Sequence, residues 1–156
     1  MGNNPVPVQD PEAWKRKNMA FAIRSHRHLW GKNNEDPLAF LFRHGLSNAF
    51  SKKVYLGWNK FGQKRPYKGW GMDKEGTFLI PAGIVFPFII DKELQSVFII
   101  SMDDPGSVFM LPGSSDSPVT LGNPDKKKLA ADTFIKGLCL FQDNPDNCVS
   151  ISPPAG

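Results

Sequence analysis

The stretch SKKVYLGWNKFGQKRPYKGWG, Ser51 to Gly71, holds six cations, no acid and five aromatic residues. Cations that neutralise phosphates release counterions, and exposed rings stack bases at ~1–3 kcal/mol each, so this mixture suits single-stranded nucleic acid. Lys52, Lys53, Lys60, Lys64, Arg65 and Lys68 are the candidate phosphate contacts, and Tyr67 and Trp70 the candidate stacking rings. The competing reading is a solvated basic loop whose rings plug the core beneath it. In a domain this small some rings must be core, and Trp58 is the first expected there.

Other reactive side chains point to less. His26 and His28 are two apart, diverge on a helix and cannot chelate a metal as an i, i+4 pair, so they are expected at the surface. His44 is expected at a helix end, where a protonated imidazole meets the negative end of the dipole. Asp103 and Asp104 are adjacent at a strand end and face opposite ways, a poor grip on one ion. Gly113-Ser114-Ser115 reads either as an anion nest or as a plain turn, and lacks the Gly-Lys-Ser/Thr ending of a phosphate loop. Lys126–Lys128 read as a solvated face. Cys139 and Cys148, nine apart, fit no zinc spacing and are either free thiols or a pair; free thiols suit a chain without an export signal. No metal site and no serine-nucleophile signature is expected.

The elements that must position these residues follow from caps and periodicity. Residues 1–10 carry two prolines and no apolar period, and read as an arm or linker. Asp10-Pro11-Glu12 starts a helix that stops at Gly31; Asn34–Pro37 starts a second, ended by Gly45; Ser47 caps a third through about Lys53. After Leu56-Gly57-Trp58 a loop runs to about Gly76. Strands are predicted over 77–81, 84–90 and 95–101, the last two a hairpin with a longer, charged loop, and Pro87 implies an edge or a bulge. A strand over 108–111, a loop over 112–125, a helix over 129–141 and a strand over 147–152 complete an α+β chain, with helices first and then a mainly antiparallel meander.

At 156 residues the chain is long enough for one sizeable core. No apolar run approaches the ~18 residues of a membrane span, the N-terminus has no leader-like segment, and a cytoplasmic protein is expected. The net charge of +4 conceals an asymmetry. From Lys15 to Lys74 there are fourteen Lys and Arg against three acids, whereas from Glu75 onward five Lys face ten acids. A polyanion would meet the first half.

Several short segments, in order, resemble the primase-like proteins of phages and mobile elements that carry a Toprim domain, relatives of the bacterial replicative primase. Pro11–Trp14, His28-Leu29-Trp30 and Ala39–Ser47 are similar to that family's "W…LW…AL.YL..RGLS"; Leu56–Asn59 to "LGYN/LGWN"; Trp70-Gly71-Met72 to "WGL"; Leu79–Pro87 to "WLPAGLVIP"; and Val108–Ser115 to "YYVVPGSS". The resemblance implies a primase-like subdomain over 11–122 that offers cations to single-stranded DNA, with Arg43 beside His44 where the family has its "RGLS" arginine. It implies the start of a Toprim-like α/β unit over 123–156, in which Asp132 stands where the family has its catalytic Glu. Mg²⁺ or Mn²⁺ would be a cofactor only with a complete Toprim site, and the chain reaches Gly156 before the DxD pair such a site needs. Where relatives carry "VRLRIRR", this chain has Val97–Asp104 without cations.

The expectation is therefore a non-catalytic, primase-like module of a mobile-element replication protein that contacts single-stranded DNA, with no cofactor of its own. Its partners besides DNA would be the remainder of a Toprim/helicase polypeptide or a second copy, with no membrane. The alternatives are an interaction or scaffold fragment with no nucleic-acid role, and part of an active primase making RNA primers.

Overall fold

The computed structural model describes residues 6–115 and 118–152, and the fold is α+β. Residues 1–5 of the expected arm, Asp116 and Ser117 of the serine-rich loop, and the ending Pro153–Gly156 lie outside the described residues.

Three helices open the chain. In α1 (Pro11–Leu29) the Asp10 carboxylate accepts the Ala13 N–H at 3.1 Å, and Pro11 occupies the first turn, where no N–H is needed. Helix α2 (Glu35–Arg43) is followed by Gly45 at φ 85°, which turns the chain toward Ser47. The Ser47 hydroxyl accepts the Phe50 N–H at 3.1 Å and starts α3 (Asn48–Lys53).

The strands form three sheets. β1 (Gly57–Asn59), β4 (Gly83–Ile90), β5 (Glu93–Ile100) and β6 (Val108–Met110) make an antiparallel sheet in that order. β2 (Gln63–Pro66) pairs with β3 (Thr77–Ile80), joined through a short 3₁₀ turn at Lys68–Trp70. β7 (Val119–Leu121), β9 (Cys148–Ile151) and β8 (Lys128–Ala131) form the third sheet, with β8 and β9 parallel and connected by α4 (Phe134–Asp143).

Alternation along the central sheet divides the core in two. Val85, Val97 and Ile99 face α1 and pack with Trp14, Phe21 and Trp70. Ile84, Phe86, Phe98 and Ile100 face the opposite way, into a cluster that takes in Leu29, Phe40 and Leu41 together with Phe134, Leu138, Val149 and Ile151. The segment after Gly122 thus shares its core with the helices at the start of the chain.

Four sequence expectations are corrected. Residues 129–141 are not one helix: β8 pairs with β9 through Leu129 and Ala131, and α4 starts only after Thr133, whose hydroxyl accepts the Lys136 N–H at 3.2 Å. The loop expected after Trp58, to about Gly76, contains β2 and the 3₁₀ turn, and that over 112–125 contains β7, all stretches too short to show a period. The hairpin loop is a two-residue turn, with Asp91 and Lys92 at φ 51° and 67°. Positive φ at both centres matches the right-handed strand twist, a demand of the flanking ladder rather than of Lys92 itself. Lastly, Val6–Asp10 is no free linker: Asp73 N–H donates to Pro7 O at 2.9 Å, and the Gln9 and Asp10 N–H groups donate to Gly71 O at 2.8 and 2.9 Å.

Candidate nucleic-acid interface

The basic, aromatic stretch is divided between surface and core. The β1–β2 turn projects Lys60 and Phe61; Phe61 is 71% exposed, and the Lys60 ammonium lies 5.4 Å from its ring centre and 5.6 Å from that of the buried Trp58. On β2 the burial alternates, so Lys64 is exposed while Gln63 and Arg65 turn inward. Lys64 pairs in register with Leu79, which is 53% exposed and lies against Gly62. Lys60 with Phe61 at the turn, and Lys64 with Leu79 on the outer face of the β2–β3 ladder, are the exposed cations and apolar side chains of this surface segment.

Arg65 braces this surface from behind. Its guanidinium donates to Lys64 O and Gln63 Oε1, the Gln63 amide donates to Asn59 Oδ1, and Asn59 Nδ2 donates to Pro81 O at 2.8 Å. Asn59 is buried, so the chain of bonds fixes β2 against β1.

The expected stacking rings are placed otherwise. Trp70 is 3% exposed, packed on Phe78 at 5.5 Å and Phe21 at 6.4 Å between ring centres, and is core. Tyr67 is half-buried, with its ring 5.1 Å from Phe78 and the Lys74 ammonium 4.8 Å from its centre. Lys68 is ion-paired with Glu75 at 3.1 Å. Lys52 and Lys53 lie on α3, the first 4.8 Å from the Trp30 ring centre. The exposed rings of the stretch are Phe61 and Tyr55, which composition alone does not separate from buried ones.

Arg43 and Asp132, 89 positions apart in sequence, meet in an open cleft of about 790 Å³ lined also by His44, Lys136, Cys139 and Asp143. The cleft exists because α4 is clamped on the α2–α3 turn. Gln142 accepts the Ser47 N–H at 2.8 Å and donates to Gly45 O at 2.7 Å, and the Cys139 thiol donates to His44 O at 3.1 Å. Burial, and then the nearby Asp143 carboxylate, push the Cys139 thiol above its ordinary pKa, which keeps it the donor of that bond. Neither cysteine is in a disulfide.

The cleft residues do not fit a divalent ion. Asp132 is exposed and ion-paired with Lys136 at 3.4 Å, and Asp143 stands at the far end of α4, roughly 16 Å away at the helical rise per residue. Among the described residues no group of three or more His, Cys, Asp or Glu is placed to hold a metal. The Gly113–Ser115 segment is a turn that closes on β5: Ser115 N–H donates to Gln95 O at 2.9 Å and the Ser114 hydroxyl accepts Val97 N–H at 3.1 Å.

No protein-family profile and no curated protein matches the chain in sequence. Among solved structures, the RNA polymerase domain of Mycobacterium tuberculosis primase DnaG superposes with a TM-score of 0.68 over 95% of this chain and 58% of that one, at 12% identity. The fold is that of part of the DnaG primase RNA polymerase domain. A DnaG primase catalytic domain bound to single-stranded DNA matches at TM-score 0.68 and 10% identity, over 93% of this chain and 54% of that one. The M. tuberculosis domain with a double-stranded oligomer carrying a 6-nucleotide overhang matches at 0.66 and 12% identity, over 96% and 56%. The chain spans a little over half the length of these primase structures.

Within the primase fold, the segments that carried the sequence resemblance are contact points. A Cβ at Gly57 would lie 2.7 Å from Ser25 and His26 of α1; one at Gly71 would lie 2.4 Å from Asp10 O; one at Gly113 would lie 2.3 Å from Trp14 Nε1. These glycines let strands and turns approach α1 closely. Among the described residues no helix is long and apolar enough to cross a membrane.

Proposed function

We propose that this chain is a primase-like module of a DNA replication protein, of the Toprim-bearing kind found in phages and mobile elements, that holds single-stranded DNA without transferring nucleotides itself. The observation that carries the reading is the exposed Phe61 ring with the Lys60 ammonium 5.4 Å from its centre, followed along the chain by the exposed Lys64 and its ladder partner Leu79. Phosphates would track the two lysines while a base stacks on Phe61. The shared fold, and the DNA present in three of the matched primase structures, support the same reading. Arg43 would add a phosphate contact at the cleft.

A fluorescence titration with a labelled single-stranded oligonucleotide at low and raised salt tests it. Binding at low salt that weakens steeply as salt rises is expected. Absence of binding at low salt overturns the reading, and template-dependent synthesis with Mg²⁺ or Mn²⁺ would overturn its non-catalytic part.

A further inference from the structure

We propose that the free edge of β4 over Phe86–Ile90 takes an extended segment of a partner polypeptide, apolar at its centre and acidic at its ends, as an added strand. The edge is unpaired because β1 is short; along it Phe86, Pro87 and Phe88 are buried, Ile89 is half-buried and Ile90 is exposed. β1 pairs with β4 only from Gly83 to Val85, and the chain before it turns away at Tyr55, a non-glycine residue at φ 60° and 58% exposed.

The ladder defines what the edge offers. Val97 uses its N–H and C=O on the far side of β5, toward the Ser114 hydroxyl and the Leu111 N–H. Its partner across the ladder, Pro87, is therefore in a non-hydrogen-bonded pair, with its carbonyl directed away from β5. The two-residue turn makes Ile90 and Glu93 a hydrogen-bonded pair, so Ile89 opposite Leu94 also presents its N–H and C=O outward. Proline at position 87 costs no ladder bond, and the edge keeps one donor and two acceptors facing outward.

A groove lies on each side of this edge. On the α1 face, Met19, Ala22 and Ile23 with Pro87 and Ile89 line about 430 Å³. On the other face, Val54, Phe86, Phe88 and Leu121 line about 540 Å³, and Tyr55 borders both grooves. Side chains of an added strand alternate between faces, and would enter the two grooves in turn. A nucleic acid has no alternating N–H and C=O groups to satisfy the ladder. The rim charges are Arg27 and Lys92 at one groove and Lys53 at the other, with no carboxylate lining either; Glu93 at the turn is already held by Lys15 at 2.6 Å. A second copy docked edge to edge would set these cations against their own kind, whereas acidic ends complement them.

The probe is a fluorescein-labelled peptide with a Val/Ile centre as long as Phe86–Ile90 and glutamates at both ends, followed by anisotropy. Saturable binding is expected. It should fall about tenfold or more when lysines replace the glutamates, when alternate backbone amides are N-methylated, and in the variants Ile23→Glu and Arg27→Glu with Lys92→Glu. Ile23 is 45% exposed and both rim cations lie on the surface, so these variants should melt as the parent does and bind the oligonucleotide as the parent does. No saturable binding, or binding indifferent to N-methylation, overturns the proposal. Displacement of the peptide by a single-stranded oligonucleotide would reassign the edge to nucleic acid. A concentration-dependent dimer that Ile23→Glu abolishes would reassign it to a second copy.

Discussion

The indole N–H of Trp14 donates to the carbonyl of Pro112 at 2.9 Å, a bond that spans 98 residues and ties the first turn of α1 to the loop after β6. Gly113, at φ 84°, leaves no room for a side chain beside that indole. Trp14→Phe deletes the bond and also shrinks a buried side chain, so it should cost more than the ~1 kcal/mol of the bond alone, each kcal/mol lowering a thermal melt by about 2–4 °C for a chain of this size. Gly113→Ala should cost more, about 1–3 kcal/mol from the backbone alone, with the clash against Trp14 added.

The proposed DNA surface predicts a split between variants that alter binding and one that alters folding. Lys60→Ala with Lys64→Ala should reduce the slope of log affinity against log salt by about 1–2 without changing the melting temperature. Phe61→Ala should weaken single-stranded DNA by ~1–3 kcal/mol at any salt concentration. Trp70→Ala should instead destabilise by ~3–5 kcal/mol, because its ring fills the core against Phe21 and Phe78. Titration and melting of the same preparations separate the two effects.

Gln142 holds the α2–α3 turn to α4 through two bonds, to Ser47 N–H and Gly45 O. Both are exposed to water, so Gln142→Leu should cost only ~0.5–1.5 kcal/mol globally. Amide hydrogen exchange at Ser47 should speed up well beyond that of the β4–β5 hairpin, reporting local opening of the cleft.

The Cys139 thiol has its pKa raised in the folded chain, so the protonated form is the one that folding favours. Its contribution to stability is complete below the unfolded thiol pKa and lost as pH rises through the folded value. Alkylation by iodoacetamide should therefore be slower than for an unfolded thiol at neutral pH, with a titration midpoint displaced upward. Asp143→Asn should move that midpoint back part of the way, since burial is the larger cause.

The starts of α1 and α3 were legible because they depend on local chemistry: Asp10 with Pro11, and Ser47, each cap as their residue types dictate, whereas the start of α4 was hidden by β8 before it. The main hairpin was legible from its two apolar runs. The glycine and tryptophan segments were legible as a pattern, although what they do, close approach to α1, is visible only in three dimensions. The inward turn of Trp70 and the outward turn of Phe61 depend on the register of β2 and β3, which no periodicity over four residues reveals. Likewise, Arg43 and Asp132 share a cleft only because α4 docks where it does.

The mixed composition of the larger core sets an order of events during synthesis. Phe98 meets Phe134 at 4.5 Å between ring centres, and Leu29, Phe40 and Leu41 share their cluster with Val149 and Ile151. The three helices can form as they leave the ribosome, but that core has no complete set of walls until β9 has emerged. Until then the nascent chain must carry the phenylalanine face of β4 and β5 uncovered, and it is in this interval that a chaperone or a strand from another chain would find it.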